Sequence, residues 1–324
     1  MRLINRRVAA LLIAAFPLMA AAPAMAAYPD KPIRFVVPYP PGGGTDVIAR
    51  IVQQKFQAAL GQSIVIDNRG GGGGSLGTDI VAKSPADGYT VLFTLSSHTI
   101  NPAIFTKLPF DTAKDFEPVG VVASLPQILV VNASFSANTI ADVVAMAKKE
   151  PGRLQFASVG NGSPSHLAGE MLNLRAGTDI THIPYRGGGP AVSDVLGNQV
   201  PMLWVSIPAA AGHVKSGKLK PIAVSTVKRS AAFPTVPTVQ ESGINDFEVD
   251  SWYAMFVPAK TPKPIIERLN KALNEVVSDP EIRQKLLEQG SEAVGGTPES
   301  LGRIVTTELA KWAKLAKDAN IKAE

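Results

Sequence analysis

The chain has 324 residues, 45% of them apolar, with no Cys and with 32 Lys and Arg against 27 Asp and Glu. Without Cys there is no disulfide framework, no thiolate metal site and no thiol nucleophile. More than half of the formal charge of +5 comes from three arginines in the first seven residues, so it does not describe a nucleic-acid-binding surface.

Those arginines, Arg2, Arg6 and Arg7, precede an apolar run over residues 8–22, and Ala24-Met25-Ala26 fits a small-residue cleavage site. The pattern predicts a signal peptide over 1–26 and an exported chain that begins at Ala27. A retained anchor is the competing reading, but the run is short and Ala-rich for a membrane span, and no Cys follows it to carry a lipid. Cleavage removes three Arg, leaving 29 basic residues against 27 acidic ones in 298 residues, enough for one large or two medium domains.

Residues 33–37 read as a strand and 47–60 as a helix. Between them lies Pro38-Tyr39-Pro40-Pro41-Gly42-Gly43-Gly44-Thr45-Asp46. A glycine-rich turn from strand to helix presents unpaired backbone N–H groups at the positive end of the helix, which favours an anion. No Lys-Ser/Thr pair follows, so this is not a P-loop. Gly42, Gly43 and Gly44 allow close backbone approach, Thr45 offers a hydroxyl, and Asp46 caps the helix or fixes the loop. The alternative is a tight turn with Thr45 or Asp46 as N-cap; three adjacent glycines exceed what a cap needs. The expected ligand is a carboxylate, with Tyr39 and Pro40 beside it.

Residues 63–66 form the next predicted strand, 70–77 a glycine-rich loop and 76–82 the start of a helix. Gly72-x-Gly74-x-x-Gly77 matches a dinucleotide fingerprint, but about twenty residues on stand Ser96 and Ser97 where an acid should meet the ribose. Gly73-x-Ser75-x-Gly77 matches a hydrolase nucleophile elbow, making an exported serine hydrolase using Ser75 the rival function. A run of five glycines makes both matches easy by chance. After the strand at 89–95, Ser97 and His98 stand at its carboxyl end, either as ligand contacts or as a capped turn.

A long apolar, β-branched run over 119–131 is interrupted at Leu125-Pro126, and a helix over 140–149 stops at Pro151-Gly152. A strand at 154–159 leads through Gly160 to a helix over 164–175, with Ser163 as N-cap, Pro164 at its first position, and Ser165 and His166 in its first turn. This is a second anion cradle. Tyr185 ends the strand at 180–185; Arg186 is a candidate carboxylate partner or a solvated charge, and Gly187 and Gly188 offer backbone contacts before the helix over 190–196. Segments at 200–206, 209–216 and 219–225 continue the alternation, with Trp204 leading toward the cleft at a strand end. The four His show no metal-ligand spacing, and no cofactor is implied. Helices are predicted over 264–277, 281–289 and 298–319.

This alternation predicts an α/β protein with mostly parallel sheets. Chain crossings near 123–130 and 223–228 divide it into two lobes, 27–124 with 228–324 and 125–227, the C-terminal helices returning to the first lobe. Two crossings make a cleft that can hinge shut.

The chain also resembles the substrate-binding proteins of tripartite tricarboxylate transporters, the Bug family, along the whole mature length. The resemblance lies in Tyr28-Pro29-Asp30-Lys31-Pro32, Pro40 to Asp46, Ala86-Asp87-Gly88-Tyr89, Asn101-Pro102-Ala103, Tyr185 to Ala191, Leu196-Gly197-Asn198-Gln199-Val200, Trp252-Tyr253 and Pro258 to Pro264, in that order. It implies a type II-like periplasmic binding protein whose two lobes close on a citrate-like tricarboxylate, a dicarboxylate, an acidic amino acid or an aromatic acid. It further implies a carboxylate held by the loops at 38–46, 160–166 and 185–188, partly through water, and delivery to a pair of membrane subunits. A monomer suits such a carrier, and a sensor feeding a signalling kinase shares the fold. The family often carries Phe-Asp or Phe-Asn where this chain reads Leu203-Trp204-Val205-Ser206. The missing acid argues against an amino-group ligand, and Trp204 favours a larger or aromatic acid.

Overall fold

The computed structural model describes residues 28–42, 44–185 and 187–322. The expected signal peptide and the site candidates Gly43 and Arg186 lie outside the described residues. In chain order the elements are β1 (Ile33–Val37), α1 (Gly44–Leu60), β2 (Ile64–Asn68), α2 (Ser75–Ala82), β3 (Thr90–Leu95), α3 (Ser97–Ile104), β4 (Phe116–Asn132), α4 (Ile140–Lys149), β5 (Gln155–Ser158) and α5 (Pro164–Ala176). They continue as β6 (Thr181–Pro184), α6 (Gly188–Leu196), β7 (Met202–Ser206), α7 (Ile207–Lys215), β8 (Leu219–Val224), β9 (Asp250–Pro258), α8 (Lys263–Ser278), α9 (Pro280–Glu288), β10 (Glu292–Gly295) and α10 (Pro298–Asp318).

The strands run in the order β2-β1-β3-β9-β4-β7-β5-β6, with β8 and β10 also paired to β4. The sheet is mixed rather than mostly parallel. β1 pairs parallel with β2 and β3, and β5 with β6 and β7, whereas every partner of β4 is antiparallel. β4 is one 17-residue strand and the spine of the molecule. Its first half pairs with β9 as far as Pro126↔Asp250, and its second half with β7 from Gln127↔Ser206. Pro126 therefore does not break the strand. It sits at the seam where the partner changes, where a missing N–H costs least. The two halves of the sheet on either side of this seam are the two lobes.

Strand alternation assigns the cores. In β9, Tyr253, Met255 and Val257 face α1 and α8, packing with Phe35, Val52, Phe56, Phe93 and Leu269. Trp252, Ala254 and Phe256 face the other way, with Leu301 and Val305 of α10. Helices α8 and α9 return to the first lobe as expected. α10 does more: its N-terminal half packs on that lobe, while Trp312, Leu315 and Ala316 enter a core shared by Ile100 and Ile104 of α3, Leu129 of β4, and Leu167 and Met171 of α5. The second crossing also lies later than 223–228, because Val236 packs with Val224, and Val239, Phe247 and Val249 pack with Leu129 and Trp204. The chain leaves the second lobe where β9 begins.

Candidate functional site

The loop after β1 is held by Asp46. Its buried carboxylate accepts from Gly42 N (2.8 Å), Arg50 Nε (2.9 Å) and Asn68 Nδ2 (3.0 Å). Asn68 also donates to the Tyr39 carbonyl at 3.1 Å. Burial opposes the Asp46 charge, but the bonds from Arg50, Gly42 and Asn68 outweigh it and hold the carboxyl below its ordinary range. Asp46 thus fixes the loop, one of its two expected roles, and its charge is saturated rather than turned on a ligand. Gly42 has φ +79°, which only glycine adopts at little cost. Thr45 is buried in the first turn of α1.

Tyr39 and Ser97 come together: their hydroxyl oxygens are 2.8 Å apart, joining the loop after β1 to the start of α3. Pro40 is exposed on the same loop and packs against Gly70, where an added Cβ would lie 3.0 Å from Pro40 Cδ. The glycine-rich segment 70–77 folds over Tyr39; a Cβ on Gly74 would meet Tyr39 Oη at 2.9 Å.

His98 is a correction. It points away from Ser97 into an aromatic nest of Phe110, Phe116 and Phe256, is 3% exposed, and neither ring nitrogen has a hydrogen-bond partner among the described residues. Burial pushes its pKa down to about 3, so it is a neutral core side chain. Trp204 is the second correction. In β7 it shares the Met202 face, not the Val205 face, and stacks on Phe247 in the core at 1% exposure. Strand phase, which the sequence reading did not fix, turns it away from the cleft.

In the second lobe Ser163 caps α5 as expected, accepting from His166 N at 3.2 Å and donating to Gly160 O at 2.6 Å. Ser165 is fully buried and accepts from Val159 N at 3.0 Å. His166 Nδ1 accepts from Gly162 N at 3.1 Å, which leaves its proton on Nε2, facing Glu170 at 3.7 Å. Its ring stacks on His182 at 3.8 Å. Burial, and then the neighbouring His166, push the His182 pKa down to about 3. The Tyr185 phenol donates to Asp194 at 2.7 Å; burial, then that bond and that charge, raise its pKa to about 12. Gly187 N donates to Val159 O at 3.2 Å, and its φ of +105° turns the chain into α6, which has no side-chain cap. Gly188 begins that helix against Val205 and Ala209.

The two sets of loops meet. A Cβ on Gly162 would lie 1.9 Å from Ile104 Cδ1, so the loop before α5 rests on α3. The loop before α5 therefore touches the C-terminal end of α3, whose first residue Ser97 meets Tyr39, and the Gly187–Val159 bond joins the start of α6 to the same loop. Among the described residues no His, Asp and Glu cluster could hold a metal, and no helix is long and apolar enough to cross a membrane. Sequence reasoning missed Asn68, which ties the loop to β2, and Tyr253, whose hydroxyl lies 2.9 Å from where a Gly44 Cβ would stand.

Residues 48–321 match the model of the tripartite tricarboxylate transporter family receptor. The chain belongs to that family. BugT of Bordetella pertussis is 38% identical over 297 residues, 91% of each chain. A Rhodopseudomonas palustris protein solved with adipate is 34% identical, with a TM-score of 0.80 over 91% of this chain and 99% of its own. MatC of the same organism, solved with bound malate, is 30% identical, with a TM-score of 0.76 over 89% and 99%. This receptor is therefore similar along nearly its whole length to proteins solved with dicarboxylates. The fold read from the resemblance, an α/β binding protein of this type, is the fold found.

Proposed function

We propose that this receptor binds a small carboxylate between its lobes in the periplasm and presents it, as a monomer, to the membrane subunits of a tripartite tricarboxylate-type transporter. The observation that carries this reading is the first turn of α1. A glycine turn fixed by Asp46 delivers a 17-residue helix N-terminus beside the Tyr39 and Ser97 hydroxyls, so backbone dipole and neutral donors face one point. The related adipate and malate proteins favour a dicarboxylate. Donors from both lobes sharing one anionic group bind the closed form better and so shift the hinge equilibrium toward it. Tyr39, Ser97, Gly42, Gly43, Thr45, Gly160, Arg186 and Gly188 are the proposed contacts; Asp46, Ser163, Ser165 and His166 hold the loops.

No catalysis is required. Ser75 Oγ makes no hydrogen bond to a His among the described residues. The one Ser hydroxyl bonded to a His ring among the described residues, Ser158 with His182 at 2.6 Å, is fully buried at the serine, with Ser158 Oγ also accepting from Gly160 N at 3.1 Å.

A thermal-shift screen of the ligand-stripped mature protein tests the reading. A ligand at a hundred times its Kd adds about 2.7 kcal/mol and raises the melting point by several degrees. Shifts with di- or tricarboxylates are expected; shifts confined to sugars or nucleotides would overturn the carboxylate assignment.

A further inference from the structure

We propose that Tyr253 is a ligand contact: its hydroxyl, on the floor of the cleft, donates a hydrogen bond to the carboxylate seated at the N-terminus of α1. This rests on the carboxylate reading above and adds the residue that recognises the anion from beneath.

β9 alternates, and Tyr253 falls on the face covered by α1 and α8. It pairs with Leu95, the last residue of β3, at the edge where β1 and β3 hand the chain to the loops of the site. The ring is packed in the core and the residue is 4% exposed, and its hydroxyl makes no hydrogen bond among the described residues, yet its oxygen is not one of the fully enclosed unpaired polar atoms there. A phenol hydroxyl at the edge of a core normally finds a partner.

The hydroxyl also reaches the first turn of α1 only because residue 44 is glycine. A Cβ there would sit 2.9 Å from Tyr253 Oη, closer than side chains normally pack. Tyr39, bonded to Ser97, lies near enough that burial and then the Tyr39 phenol both raise the Tyr253 pKa. Tyr253 therefore keeps its proton and acts as a neutral donor. Around one point stand the N–H groups of a helix start, a phenol without a partner among the described residues, and the Tyr39–Ser97 pair. What this set lacks is a negative charge, and a carboxylate oxygen is the group that completes it. A carboxamide or ester oxygen accepts more weakly, and an ammonium would meet only hydroxyl lone pairs beside the positive end of a helix.

The test is Tyr253→Phe, which removes one oxygen and keeps the ring. Malate and adipate are titrated calorimetrically into ligand-stripped wild type and variant, and the melting point of each apo protein is recorded. A hydrogen bond to a charged acceptor predicts about a ten- to hundredfold rise in Kd, with the apo melting point unchanged or raised, because the lost hydroxyl had no partner among the described residues. Equal Kd for wild type and Y253F would overturn the assignment of Tyr253 while leaving carboxylate binding intact. An apo protein that melts lower in proportion to its lost affinity would also overturn it, by making the role structural. Failure of wild type to bind any carboxylate in the screen above would remove the carboxylate reading, and this contact with it.

Discussion

Asp46→Ala should loosen the binding loop without touching a ligand. The substitution removes the acceptor of three hydrogen bonds. Bonds to a charged group contribute roughly 1.5–3 kcal/mol each, but the three do not simply add here. The Arg50 side chain is half exposed, so its pair counts for little. Asn68 keeps its bond to Tyr39 O, and Gly42 N–H can turn to water because Gly42 is exposed. The expected cost is about 2–3 kcal/mol, a fall in melting point of roughly 3–5 °C for a chain of this size. Ligand affinity should fall about tenfold as well, because a loop that is no longer fixed must be ordered by the ligand. The difference has a pH signature. The folded carboxyl lies below its ordinary range, so its contribution is fully present above the unfolded pKa of about 4 and is lost as the pH falls through the lower folded value. Differential scanning calorimetry of both proteins from pH 3 to pH 8 should show a constant gap above about pH 5 that closes on the acid side. Equal melting at pH 7 would refute the claim that Asp46 holds the loop.

Three further outcomes follow from the packing. Gly162→Val puts a side chain on a residue with φ +69° and against Ile104, so it should push the loop before α5 off α3, weaken ligand binding and enlarge the radius of gyration of the liganded form in small-angle scattering; unchanged affinity would place that contact outside the closed site. His98 must stay neutral in its aromatic nest, with a pKa near 3, while the unfolded chain takes up a proton below about 6.5, so stability drains away as the pH falls from 6.5 toward 3. His98→Leu should therefore gain on wild type by about 2 kcal/mol more at pH 5 than at pH 8, and a pH-independent gain would contradict the buried neutral assignment. Asp250, at the seam of β4 and β9, has its pKa raised to about 7 by burial, then by Glu248 and Glu308, against the bond from Ser124. The fold holds a proton that the unfolded chain releases above about 4, so this residue costs stability as the pH rises from 4 to 7; Asp250→Asn should raise the melting point more at pH 8 than at pH 5, and the reverse order would show that Asp250 is ionised in the fold.

Much of the architecture was legible because local chemistry decides it. The strand-to-helix turns announced themselves through adjacent glycines, and the cap of α5 through Ser163-Pro164. What escaped depends on partners distant in sequence. Pro126 reads as an interruption until the change of partner from β9 to β7 places it at a seam. Residues 250–258 look like neither a strand nor a helix in isolation because both faces are buried, and β9 is defined by β3 and β4 on either side. His98 and Trp204 were placed by element and not by direction; one residue of phase turns each into the core. α10 reads as one amphipathic helix, and nothing local says that its two halves serve different lobes. Tyr253 carried a visible signal, a phenol hydroxyl within an apolar run, but its meaning depends on the absent side chain of Gly44.

The central claim is that the site recognises the negative charge of a carboxylate. The most direct measurement is calorimetric titration of wild type with the carboxylate giving the largest thermal shift, beside its methyl ester of the same skeleton. The account predicts tight binding of the acid and a loss of at least about a hundredfold for the ester, the worth of a charge-assisted hydrogen-bond set. Equal affinity for the two would contradict it, because donors gathered around a helix N-terminus would then not be what holds the ligand.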